Sequence, residues 1–180
     1  MSKTMMDAHD LAVAESFLAA EARIAAGFES IEEAIAPELR RMRATGRITY
    51  VTDPQRGAIW GHAFLRPPYA PSAEAEWFLG WGIRFPDGGS GWEGAQPPLP
   101  RSPYAVVAVG GNDAARPRAV AGRQALAPPG WSSIAGEAAF LAACIDLREL
   151  PAATDVSALA EWVRDRIIEI AAVLPRLAEG

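Results

Sequence analysis

The chain has 180 residues and a net charge of −5, and half of its residues are hydrophobic by type. Ala fills 37 positions, yet six Trp, six Phe and a supply of Leu, Ile and Val leave enough bulk for one core. This composition excludes a disordered chain, a collagen-like repeat and a disulfide scaffold.

Residues 7–45 are predicted to be helical. Phe17, Ile24, Phe28, Ile31, Ile35, Leu39 and Met42 recur at steps of three, four or seven and form one stripe. Gly27 and Pro37 interrupt it. Ser30 with Glu33 matches a capping box, so a break into two helices near Gly27 is one expectation. Pro37 predicts a kink. Glu15, Glu29, Glu33, Arg40 and Arg43 form the solvated face. A helix of this length also suits pairing with a second copy of the chain. Gly46 reads as the residue that closes it.

Residues 48–52 and 58–65 alternate as strands around the turn Asp53-Pro54-Gln55-Arg56-Gly57, which predicts an antiparallel hairpin. Residues 67–71 read as loop. The strand over 76–85 is the clearest in the chain. Trp77, Leu79, Trp81, Ile83 and Phe85 make an apolar wall, while Phe78, Gly80, Gly82 and Arg84 point the other way. The two glycines keep that second face low, so another segment or a ligand can lie against its backbone.

Residues 86–103 are half Gly and Pro and carry Trp92. They read as a surface loop. Residues 104–109 are apolar on both faces and suit a central strand. The chain is expected to turn at Gly110-Gly111 and to remain loop through 110–132. Residues 134–145 fit either period, and a strand near 140–147 is favoured because a polar run and Pro151 end it. Residues 155–178 are helical, with Val156, Leu159, Val163, Ile167, Ile170, Val173 and Leu174 forming the buried stripe.

The predicted fold is α+β: one domain with an antiparallel sheet of four to five strands, covered by N-terminal and C-terminal helices. A parallel α/β arrangement needs a crossover helix between strands, and 48–85 has no room for one.

Few residues suggest chemistry. Only His9 and His62 are histidines, and neither belongs to an H-x-H or H-E-x-x-H spacing. Gly130-Trp131-Ser132-Ser133-Ile134 begins like a nucleophile elbow but lacks its closing glycine. No Walker A or G-x-G-x-x-G motif occurs. Asp53, Glu74 and Glu76 could serve a metal-dependent nuclease, but the lysine such a site uses is missing, because Lys3 is remote. Glu32 beside Glu33 is ordinary surface spacing. Cys144, the only cysteine, excludes an intramolecular disulfide and reads as a small buried hydrophobe. The acidic balance argues against nucleic-acid binding, and Arg116, Arg118 and Arg123 read as a solvated loop.

The residues therefore lead to a non-catalytic binding or accessory protein, expected to be bacterial and cytoplasmic. No cofactor, metal or membrane span is expected, and the partner is a protein or a small molecule. The expected contact residues are Gly80, Gly82, Arg84 and Trp92. The alternative is a hydrolase or degenerate metal-dependent nuclease with acidic residues near the first hairpin.

Overall fold

The structure, a computed structural model, describes residues 8–51, 60–65, 77–84, 100, 104–111, 129–134, 139–149 and 156–179. Helix α1 (Ala8–Ala44) precedes strands β1 (Ile48–Val51), β2 (Trp60–Leu65), β3 (Trp77–Arg84), β4 (Tyr104–Gly111), β5 (Trp131–Ser133) and β6 (Ala139–Asp146). Helix α2 (Val156–Glu179) follows. All strand pairs are antiparallel, in the order β1-β2-β3-β4-β6-β5. The fold is α+β with a helix at each end of the chain, as the patterning predicts. Among the described residues no helix is long and apolar enough to cross a membrane.

Helix α1 does not break at Gly27. Glycine in a helix interior costs about 1 kcal/mol, which packing overrides. Gly27 is buried, and Phe28, Ile31 and Ile35 are sealed in the core. The Ser30 hydroxyl donates to the Ala26 carbonyl, 3.2 Å away, instead of capping a new helix. Pro37 lies within the helix on its exposed side, where a freed carbonyl can turn to water. The helix ends as a Schellman motif. Arg47 N donates to Met42 O at 2.8 Å and Gly46 N to Arg43 O at 3.0 Å, with Gly46 at φ +73°.

The sheet meanders from β1 to β4 and then skips a place. Strand β6 inserts beside β4, and β5 pairs on its far side as a three-residue edge. Two boundaries of the expected 110–132 loop therefore move. Gly110 and Gly111 extend β4, paired with Phe78 and Trp77, and Trp131 and Ser132 belong to β5. Glycines carry no side-chain alternation to mark a strand, and three residues are too few for a period to show. The strand favoured near 140–147 is β6. Its register against β4, Val107 facing Ala143 and Val109 facing Leu141, resolves the ambiguity of its spacing. The loops expected at 67–71 and 86–103 lie outside the described residues, Pro100 excepted, and so do residues 112–128 with Arg116, Arg118 and Arg123.

One sheet face lies under the helices. Trp77, Leu79 and Trp81 of β3, Val107 and Val109 of β4 and Trp131 of β5 pack with Phe28, Ile31, Ile35 and Met42 of α1. Val163, Ile167 and Ile170 of α2 complete this core. Burying each such side chain stabilises by about 1.5–3 kcal/mol relative to exposure. On the opposite face Tyr104, Val106, Ala108, Ile134 and Ala142 form a second buried cluster, with Cys144 against it. Every residue of β4 is buried, as expected for the central strand.

The helices run in the same direction. Gly27 of α1 lies beside Val156 at the start of α2, and Arg47, just past α1, donates from Nη1 to the Ala171 carbonyl at 3.1 Å. Residues 8–26 of α1 therefore continue about 28 Å past the start of α2, at 1.5 Å per residue.

Candidate functional site

The described part of the molecule uses its half-buried carboxylates in two ways. Some join the helices to the sheet. Trp131 Nε1 of β5 donates to Glu169 Oε2 of α2 at 2.7 Å, and Arg166 Nη1 supports the same oxygen at 3.0 Å. Trp81 Nε1 of β3 donates to Glu32 Oε1 of α1. An indole N–H buried in a core needs an acceptor, and each helix supplies one to a tryptophan beneath it. Other carboxylates serve local pairs. Arg41 grips the buried Glu38 with both arms of its guanidinium, at 2.7 and 2.8 Å, and Arg148 pairs with Asp146 at 2.8 Å.

The Glu32–Trp81 contact is built around Gly61 of β2. A Cβ on Gly61 would fall 2.6 Å from both Glu32 Oε1 and Trp81 Nε1. Gly61 pairs directly with Trp81 across the strands, so only a residue without a side chain leaves room for the indole and its acceptor. Burial raises the Glu32 carboxyl above the usual carboxylate range, and the Trp81 bond opposes this more weakly.

Glu32 also lines a pocket of about 190 Å³. Among the described residues this pocket is lined by Glu32, Ala36, Leu39, Arg40 and Arg43. Their offsets of four, seven, eight and eleven from Glu32 put them on one side of α1. Ala36 and Leu39 are its apolar lining. Arg40 and Arg43 are exposed, and neither has an ion pair among the described residues. Glu32 Oε2 likewise has no hydrogen-bond partner among the described residues.

The expected contact residues are placed differently. Gly80 and Gly82 lie on the sheet face opposite the helices, as the alternation predicts. Both are buried, between His62 and Ala108 and between Trp60 and Val106 of the neighbouring strands, so they offer no open surface. Arg84 is half-exposed at the end of β3. Trp92 lies outside the described residues. The apolar wall of β3 is core: Trp77 and Trp81 are fully buried.

His62 is half-buried, with its ring edge-on to Phe78 at 6.4 Å. Asp53, Glu74 and Glu76, which the nuclease alternative would place near it, lie outside the described residues. Among the described residues no group of three His, Cys, Asp or Glu side chains could hold a metal ion. Burial pushes the Cys144 thiol up to about 12, despite the nearby Arg84 charge, so it is not a poised nucleophile.

Sequence reasoning reads Glu32 as surface and Arg40 and Arg43 as a plain solvated face. The available signal was position. Glu32 directly follows the core residue Ile31 and lies four residues after Phe28, so it borders the apolar stripe. Glu33, one residue further round the helix, is exposed. No family model, curated protein or solved structure matches the chain.

Proposed function

We propose that the chain is a non-catalytic binding or accessory protein whose contact site is the α1 pocket rather than the glycine-bearing sheet face. One observation carries this reading. The pocket is lined by Ala36 and Leu39 together with Glu32, whose Oε2 has no hydrogen-bond partner among the described residues, and Arg40 and Arg43, which have no ion pair among them. Apolar walls with a few convergent polar groups are the usual make-up of a ligand site. A cytoplasmic setting belongs to the same proposal, since the single cysteine is a half-buried thiol whose pKa is raised by its surroundings and which asks nothing of an oxidising compartment.

Thermal-shift screening of the full chain against small molecules, nucleotides, sugars and divalent metals tests it. A ligand that binds only the folded state raises the unfolding temperature in a saturable way. The expected result is such a rise with an organic ligand that is recovered unchanged. Stabilisation by a divalent metal, together with cleavage of a phosphodiester or ester substrate, overturns the reading in favour of a metal-dependent hydrolase.

A further inference from the structure

We propose that the α1 pocket takes an elongated zwitterion, an ω-amino carboxylate, with its ammonium on Glu32 and its carboxylate on Arg40 and Arg43. The inference rests on the binding reading above and names the ligand class of the same site.

The charges are arranged end to end. Glu32 and Arg40 are eight residues apart, about 12 Å along the axis, and Arg43 lies one turn further. Long helical side chains lean back toward the N-terminus, which directs Arg40 and Arg43 toward the turns that carry Ala36 and Leu39. An anion at that end meets two cations and is held by charge-assisted hydrogen bonds. At the other end Glu32 Oε1 is occupied by the Trp81 indole, which leaves Oε2 as the acceptor for an ammonium. Between them the lining is aliphatic and suits a methylene chain. A ligand with only one of the two charges would leave the opposite end unmatched. A short amino acid cannot reach both ends.

The Trp81 indole N–H is a built-in reporter, because it donates to the carboxylate that would receive the ammonium. The experiment follows its cross-peak in a proton–nitrogen NMR titration of the full chain. The probes are ε-aminocaproate, caproate, hexylamine and glycine. The expected result is a saturable shift with ε-aminocaproate, with the other three at least about tenfold weaker, a difference of about 1.4 kcal/mol. E32Q and the double variant R40A/R43A are each expected to weaken ε-aminocaproate by at least about tenfold. Arg40 and Arg43 are exposed, so the double variant should keep the wild-type spectrum elsewhere. The free E32Q cross-peak shows whether Trp81 remains in its folded setting.

An unmoved Trp81 cross-peak overturns the proposal, as does caproate or hexylamine matching ε-aminocaproate, or folded E32Q binding as tightly as wild type. If a singly charged probe matches ε-aminocaproate, the zwitterion assignment falls while the binding reading stands. That reading itself falls only to the metal-and-turnover result of the screen.

Discussion

Gly61 shows how much one missing side chain can decide. It lets Trp81 stay fully buried and still reach an acceptor on another element. An alanine there would press its methyl into the Glu32 carboxylate, which can swing aside, and into the Trp81 ring, which is fully buried and cannot. G61A is expected to lose about 1–3 kcal/mol, the range for overpacking a filled core, read as a lower urea midpoint at an unchanged slope. A stability equal to wild type would show that the strand can shift freely. Glu32 sets a pH dependence at the same point. Its folded-state carboxyl is held above the ordinary range by burial, so the folded chain keeps this proton where the unfolded chain has lost it. Its contribution to stability therefore falls as pH rises from the unfolded carboxylate range through the folded one. Glutamine keeps an acceptor for the indole but does not titrate. From the unfolded carboxylate range upward wild type should lose stability relative to E32Q, until the folded-state carboxyl has itself titrated. Parallel urea midpoints across that range would show that Glu32 titrates the same way in both states.

The C-terminal helix depends on a residue from elsewhere in the chain. Pro175 lies within α2 and has no N–H, so the Ala171 carbonyl lacks its usual donor four residues on. Arg47 fills the vacancy from beyond the end of α1, with Nη1 at 3.1 Å. The Schellman turn at Gly46 sets the position of Arg47, whose own N–H closes that motif on Met42. The end of one helix thus completes the hydrogen bonding of the other. R47A is expected to cost about 0.5–1.5 kcal/mol and to speed amide exchange in the last turns of α2. Adding Pro175→Ala, which restores the missing N–H, should recover most of that loss. If the double variant is no more stable than R47A, the guanidinium is not substituting for the proline's absent donor.

Across the whole molecule the sheet is a partition with a core on each side. The larger core holds the helices and the tryptophans, and the smaller holds Tyr104, Val106, Ala108, Ile134 and Ala142. Cys144 sits on the smaller side, in the strand flanked by both β4 and β5. With the thiol pushed up to about 12, its thiolate fraction near neutral pH is about a thousandfold below that of an open cysteine. A thiol reagent is therefore expected to label the native chain that much more slowly than the urea-unfolded chain. Native labelling as fast as that of the unfolded chain would show that burial does not hold the thiol protonated.

Much of this architecture was legible in the sequence. A period of two over 76–85, a longer period at each end and a glycine at position 46 are local consequences of backbone geometry, and they predicted β3, both helices and the end of α1. Burial of Trp77 and Trp81 followed from the same alternation. Contacts between residues far apart in sequence were not legible. Residue order does not show that Gly61 faces Trp81, that Glu32 reaches the same indole, that β6 lies between β4 and β5, or that Arg47 serves Ala171. Nor does a low glycine face reveal that it will be covered. Sequence by itself determined both helices, β3 and their inward faces, because side-chain sterics and hydrophobicity act residue by residue, whereas the three residues of β5 are too few to show a period. The tertiary structure alone decided which polar groups were consumed in holding the layers together and which stayed open on α1, because a buried donor selects its acceptor by distance in space.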